Sequence, residues 1–307
     1  MDTRFLETFV TVVDGGSIAE AARRLNLSPA AVAQRIGALE GEIGARLLSR
    51  SGRNVKPTQA GAAILGRARN FLGELRDLKS LAANDEPAGE LRLGAFPTAL
   101  CGLLPDILIV MKSAYPQIKV SIMRGASVDL YPKVLAGDLD GAIIVQPPFV
   151  LPKICDWRVL REEPLVVLTR AAMPTRHPHT ILASEPFIRY DRNSWTGRLI
   201  DGYLRRASIR PIELFELDDL HAIARLVDRN LGVTLLPDWA PPWPEGLSLR
   251  KLPVPDRSFS RYVGFIWNKA SLRLRPIQAF LEVAITVVAR GRLDIPKYAR
   301  KRPLRRR

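Results

Sequence analysis

The sequence predicts an α/β fold with an all-helical beginning, one long helix and a larger region of alternating strands and helices. Three observations carry this expectation. Residues 17–39, SIAEAARRLNLSPAAVAQRIGAL, start a helix, stop it and start another. Between Thr58 and Ala83 no proline interrupts a helical apolar pattern. From Glu90 onward, short apolar runs bounded by turn residues alternate with helical stretches, the pattern of βαβ units on a parallel sheet.

A chain of 307 residues with 47% hydrophobic content is long enough for about two domains with substantial cores. Its net charge of +15 suggests a polyanionic partner, but the excess is uneven: residues 1–86 hold +2, residues 87–289 +5 and residues 290–307 +8. About half therefore lies in a basic tail, 292–307, ending YARKRPLRRR, that carries no apolar pattern and is expected to be disordered. Cys101 and Cys155 are the only cysteines, which argues against a disulfide scaffold and for a reducing compartment. The amino terminus has acids among its apolar residues and no small-residue cleavage site, and the longest apolar runs, ILIVM at 107–111 and AITVVA at 284–289, fall far short of the roughly 18 residues of a membrane span. A cytoplasmic protein without a membrane partner is expected.

The first short helix starts at Ser17, where Ser-x-x-Glu with Glu20 makes a capping box. Ile18, Ala21, Ala22 and Leu25 then form one apolar stripe. After Asn26-Leu27, Ser28 is a second N-cap with Pro29 at the first helical position, where its missing N–H costs nothing. Val32, Ile36 and Leu39 make the buried stripe of the second helix. Two short helices joined by so tight a turn share a core only by crossing steeply, as in a helix-turn-helix. Opposite the buried stripe lie Ala30, Gln34 and Gly37, flanked by Ala33 and Arg35. Small side chains let such a helix sit deep in a major groove, where Gln can pair with adenine, Ala can meet a thymine methyl and Arg can take guanine or phosphate.

Next comes ARLLSRSGRNVKPTQAG at 45–61, two short runs around the turn Ser51-Gly52 with Arg50, Arg53 and Lys56 near the tip. This is a basic wing placed to reach phosphate. Ser28, Pro29, Ala30, Ala33, Gln34 and Arg35 of the helix, with Arg50, Arg53 and Lys56 of the wing, are the candidate DNA contacts, and residues 1–58 are the expected winged helix-turn-helix domain.

At this point a specific resemblance emerges. Residues 9–72 are similar along their length to the amino-terminal domain of LysR-type transcriptional regulators, through Phe9, Ser17, Ala21, Ala22, Leu25, Ser28, Ala31, Val32, Ile36, Leu39, Glu40, Gly44, Leu47, Arg50, Thr58 and Gly61. Ala33 stands where the family usually has Ser, Ala30 where Pro is common, Leu48 for the usual Phe and Pro57 for the usual Leu. Ala33 therefore offers no hydroxyl to a base.

Thr58 can cap the long helix, and Gly61, Ile64, Ala68, Phe71, Leu75, Leu78 and Ala82 alternate at spacings of three and four, a coiled-coil seam of roughly three heptads. Such a rod, about 40 Å long, needs a partner for its seam, most economically a second copy in a two-fold dimer facing a pseudo-palindromic site. Residues 59–89 are the expected linker helix and hinge, ending at the turn-rich NDEPAG.

In the remaining two thirds, LRLGAF, IKVSIM and GAIIV at 141–145 read as strands with helices between. PLVVL at 164–168, PFIRY at 186–190, a helix over 218–228 and GVTLLP at 232–237 form a second α/β set, before RYVGFIW at 261–267 and a helix over 274–289 close the first lobe. The boundaries expected are 90–161 with 267–291 for lobe one and 162–266 for lobe two. The order of LRLGAFPTALCGLLPDIL, AGDLDGAII, EPLVVL and LGVTLLP resembles the periplasmic-binding-protein-like effector domain of the same family, covering residues 90–291. Ligands of open α/β sheets sit beyond the carboxyl ends of strands, near helix N-termini. Pro97, Thr98, Ala99, Ser127, Gln146 and the loop 189–197 with Arg189, Trp195 and Thr196 occupy such positions. The resemblance implies Thr98 and Ser127 as hydroxyl ligands from lobe one; Ser127 also reads as an N-cap. Arg189, Tyr190, Arg192 and Trp195 would suit a small anion with an aromatic part.

Enzyme readings find little support. Gly15-Gly-Ser-Ile-Ala19 lacks the preceding strand of a nucleophile elbow, since Phe9 to Val13 have helical spacing. No Walker loop, dinucleotide fingerprint or HExxH sequence occurs, and His177-Pro-His179 has no neighbouring ligands for a metal, so no cofactor is expected. A dimeric or tetrameric DNA-binding regulator controlled by a small effector is the leading expectation, with RNA polymerase as a further partner if it activates. Two alternatives stay open: a thiol sensor using Cys101, read as lying in the first turn of a helix, and a ligand-binding module with vestigial DNA binding.

Overall fold

The computed structural model describes residues 2–51, 54–83, 87–271 and 273–289. Arg53 of the expected wing and the basic tail lie outside them. The chain divides into two compact units, 1–90 and 91–307.

In the first unit, α1 (Thr3–Gly15), α2 (Ile18–Leu25) and α3 (Pro29–Ile43) are followed by a hairpin of β1 (Leu48–Ser51) and β2 (Asn54–Pro57), then α4 (Gln59–Ala83). The helix break falls where expected. Ser17 Oγ accepts the Glu20 N–H at 3.1 Å and Ser28 Oγ accepts the Ala31 N–H at 3.1 Å. The return half of the capping box is replaced: the Glu20 carboxylate turns to Arg23 and to Arg24 Nε, the latter at 2.9 Å. Between the helices Asn26 takes left-handed backbone (φ 53°), so that its N–H reaches the Arg23 carbonyl and the Leu27 N–H the Ala22 carbonyl at 2.9 Å. Phe9, Val12, Ala21, Val32, Leu39 and Leu47 make a fully buried core.

Thr58 starts α4, its Oγ1 accepting the Gly61 N–H at 3.0 Å. Gly61 lies so close to the Leu47 carbonyl that a Cβ would overlap it. Ala60, Ile64, Leu65, Ala68 and Leu72 pack on the unit's own core, so the first half of the expected seam is used internally. Phe71, at 44% exposure, is where the apolar stripe turns outward. The side chains of Leu78 and Ala82 lie outside the described residues.

The second unit begins with β3 (Gly89–Ala95), α5 (Pro97–Gly102), α6 (Leu104–Ala114), β4 (Ile118–Arg124), α7 (Ser127–Leu135) and β5 (Gly141–Val145). β3 and β5 pair in parallel, Leu93 opposite Gly141. β6 (Cys155–Arg170) then runs for 16 residues. Its first part pairs with β11 (Ser260–Asn268), and its second with β9 (Thr234–Pro237) and β10 (Leu249–Pro253). The elements between are α8 (Pro178–Ser184), β7 (Pro186–Tyr190), α9 (Trp195–Arg206), β8 (Ile212–Leu217) and α10 (Leu220–Asp228), and α11 (Leu274–Ala289) closes the unit. Two separate apolar cores result, one around Leu93, Ile143, Phe265 and Phe280, the other around Leu165, Phe187, Ile223 and Leu235.

Three expectations need correcting. The crossing into lobe two is one continuous strand, because Arg158, Arg161 and Glu162 in its first half hide a strand whose partner, β11, is remote in sequence. β11 pairs with β5 from Val263–Val145 to Trp267–Gly141, so RYVGFIW joins lobe one as its pattern implied, and the boundary drawn at 267 falls too late. The 189–197 loop becomes helix at Trp195, capped by Ser194 Oγ on the Gly197 N–H at 2.9 Å.

Candidate functional site

In the first unit, α3 presents Pro29, Ala30, Ala33, Gln34 and Gly37 to the outside while Val32, Ile36 and Leu39 are buried. Ser28 is exposed, and its hydroxyl oxygen accepts the capping N–H of Ala31. Arg35 is half-buried and leans over α1, its Nη1 3.5 Å from Thr8 Oγ1. Lys56 is exposed on β2; the Arg50 side chain lies outside the described residues. The hairpin is anchored at both ends. The Val55 N–H donates to the Gly16 carbonyl at 2.8 Å, and Glu40 of α3 accepts the Leu47 and Leu48 N–H groups at 2.7 and 3.1 Å. In the sequence Glu40 stands out only as a point of resemblance. Its part in fixing the wing to the reading helix depends on contacts seven and eight residues away in the chain.

In the second unit, a cavity of about 330 Å³ opens between the lobes. The ends of β3, β4 and β5 bring Pro97, Arg124 to Val128 and Val145; lobe two brings Tyr190, Asp191, Ser194 to Thr196, Asp218 and Asp219; β11 brings Arg261. Of the expected effector residues, Pro97, Ser127, Trp195 and Thr196 therefore meet in one place. Ser127 is not the N-cap of α7. That position belongs to Ala126, which has no side-chain bond to offer, and Ser127 Oγ instead accepts the Val145 N–H at 3.0 Å. The first N–H groups of α7 thus face the cavity without a side-chain cap, beside a hydroxyl whose proton remains to be donated.

Thr98 and Ala99 are buried behind the lining, and Gln146 is exposed away from it. Thr98 Oγ1 accepts from Arg261 Nη2 at 3.3 Å. Arg261, 2% exposed, also donates from Nε to Glu163 Oε2 at 2.7 Å. Glu163 in turn accepts the Ala240 N–H at 2.9 Å, so one buried ion pair joins both strands that pass between the lobes. Neither residue stood out in the sequence, where both are charges inside strand-like runs.

Arg189 corrects the expectation of an anion-binding loop. It is buried and paired with Asp201 and Glu213, and Arg192 is held by Glu213 at 2.8 Å and Glu216 at 3.0 Å. Neither lines the cavity. The hydrogen bond from Arg189 keeps the Glu213 carboxyl below its ordinary value against the opposing effect of partial burial. Trp195 does line the cavity, in edge-to-face contact with Phe149 and Tyr131 at 5.8 and 6.1 Å. Burial pushes the Tyr190 phenol up; Arg261 opposes this, while Asp191, Asp218 and Asp219 reinforce it.

Cys101 falls in the last turn of α5, not the first, and is exposed. Cys155 is buried at the start of β6, where burial raises its thiol pKa. His179 Nε2 is bonded to the Tyr203 hydroxyl at 2.7 Å.

Comparison with known proteins places both units. Residues 3–62 match the bacterial regulatory helix-turn-helix protein, lysR family, and residues 84–289 match the LysR substrate binding domain. The chain is 31% identical over 246 residues to the uncharacterised HTH-type transcriptional regulator YnfL of Escherichia coli, covering 77% of this chain and 82% of that one. It is 28% identical over 304 residues to the nitrogen assimilation regulatory protein nac of Klebsiella aerogenes, covering 96% and 97%. Its fold is similar to that of a full-length OxyR variant from Pseudomonas aeruginosa (TM-score 0.70, 22% identity, 92% and 94% covered). The same holds for full-length CbnR solved with its target DNA (TM-score 0.66, 22% identity, 92% and 99% covered). A helix-turn-helix with a small exposed face, followed by a two-lobed domain with a cavity at its crossing strands, has one consistent placement: the chain belongs to the LysR family of DNA-binding transcriptional regulators.

Proposed function

We propose that this regulator reads a pseudo-palindromic duplex as a dimer or tetramer through Ala30, Ala33 and Gln34 of α3, and that a small molecule in the cavity of the second unit controls it. It acts by binding and not by catalysis, in the cytoplasm where the DNA is. The carrying observation is the exposed face of α3, made of alanines, glycine and one glutamine around a fully buried opposite stripe. Such a face approaches base edges closely, with Gln34 free to pair with adenine. Arg35 leans toward Thr8 and serves phosphate from the flank, as Lys56 does from the hairpin. Footprinting of selected duplexes with Gln34→Ala tests this. Relaxed specificity at one base pair per half-site, with about 1–3 kcal/mol lost there, is expected, whereas Lys56→Ala should weaken all duplexes evenly. An unaltered footprint with Gln34→Ala removes α3 as the reader.

A further inference from the structure

We infer that the effector is a zwitterion of amino-acid type, its carboxylate held by lobe one and its ammonium by the wall of lobe two. The inference rests on the reading of the cavity as the effector site and says which chemistry that site takes.

The two walls differ in kind. Lobe one offers donors: the uncapped N–H groups at the start of α7, the Ser127 hydroxyl with its proton unspent, and Arg124 at the end of β4. Ser127 is only 8% exposed, and its oxygen is fixed by the Val145 N–H, so the proton is aimed by the fold. These groups suit a carboxylate. Lobe two offers acceptors: Asp191, Asp218 and Asp219 all line the cavity. Among the described residues no arginine or lysine forms an ion pair with any of them, because Arg189 and Arg192 are engaged by Asp201, Glu213 and Glu216. Asp219 uses one oxygen to cap α10 on the Ala222 N–H (2.8 Å), and Asp191 uses one on the Asn193 N–H (2.9 Å). Each keeps a second oxygen, and Asp218 keeps both.

Arg261 does not offset this wall. It lines the cavity, but its guanidinium is turned to the buried Glu163 carboxylate, which Arg161 also approaches, and to Thr98, and it pairs with none of the three aspartates. Three uncompensated carboxylates at one end repel a simple anion, and the donors at the other end leave a simple amine half unsatisfied. A molecule bearing both charges satisfies both walls, and a cavity of about 330 Å³ matches a ligand of amino-acid size. Trp195, also in the lining, adds aromatic surface for its side chain.

The test uses the full chain and matched probes: L-leucine, L-phenylalanine and L-glutamine, each beside the acid lacking its amino group and the amine lacking its carboxylate. Thermal shift and calorimetry are expected to show at least one amino acid binding tenfold or more above both of its partners. Asp218→Asn, and separately Asp191→Asn, should erase that preference while leaving the melting temperature of the free protein nearly unchanged. Equal binding of a deaminated acid, a preference indifferent to both substitutions, or no binding in any of the three series overturns the inference. Ala126→Phe, which fills the exposed edge of the same cavity, separates the two readings. If a deaminated acid binds and Ala126→Phe abolishes it, the cavity is the effector site but the effector is a plain anion. If binding of any probe survives Ala126→Phe, the cavity reading itself fails.

Discussion

Single carboxylates do much of the positioning, and each can be tested alone. Glu40 sits between α3 and the hairpin with two backbone N–H groups and Arg46 as partners. Glu40→Ala leaves the buried Leu47 and Leu48 amides without an acceptor. It should cost about 2–3 kcal/mol in chemical denaturation and loosen DNA binding more than Glu40→Gln, which keeps one acceptor oxygen. Glu213 makes a pH-dependent contribution. Its folded pKa lies below the ordinary 4.5 because Arg189 bonds the ionised form. A lowered carboxyl stabilises the fold above that ordinary value, and the benefit is lost as pH falls through 4.5 toward the folded pKa. Thermal melts of Glu213→Gln should therefore lie below those of the parent at pH 7 and converge with them as pH drops below about 4. Parallel curves over that range would show that Arg189 is held by Asp201 alone.

At the scale of elements, the turn between α2 and α3 sets the angle of the reading helix, and it depends on left-handed backbone at Asn26. Asn26→Val forces a β-branched residue into that region and should destabilise the protein by about 1–2 kcal/mol, while Asn26→Gly should be close to neutral; circular-dichroism melts distinguish them. The turn was legible in the sequence because Ser17, Ser28 and Pro29 are local signals that act within one helical turn. α3, α11 and β5 were legible for the same reason, each being a strongly patterned run with a cap or turn at its edge. What stayed hidden depends on partners far along the chain. The first half of β6 looks polar until β11, about a hundred residues later, pairs with it, and Arg189 looks like a free loop cation until β7 and β8 bring Glu213 beside it. The cavity was half legible: strand ends and helix starts marked Pro97, Ser127, Trp195 and Thr196, whereas Arg261 and the three aspartates required the fold.

For the whole molecule, the question is how one reading face becomes a specific binder, since a single helix-turn-helix covers only half of a palindromic site. α4 supplies the means. Its first turns lock onto their own unit through Gly61, Ile64 and Ala68, Phe71 is exposed, and in the sequence Leu75, Leu78 and Ala82 continue the spacing of four, three and four. A second copy docking along that seam would bury Phe71 from each chain. Loss of two such side chains is worth about 3–6 kcal/mol, so Phe71→Asp should raise the dimer dissociation constant at least a hundredfold in analytical ultracentrifugation. Because Phe71 is 44% exposed and is not among the side chains packed on the helix-turn-helix core, the melting temperature of that core should hold. DNA binding of this variant should then become concentration-dependent and lose its sensitivity to the spacing between half-sites, while Gln34 keeps its effect within each half-site. If Phe71→Asp leaves the sedimentation coefficient unchanged, the copies associate elsewhere and the long helix serves as a spacer rather than a seam.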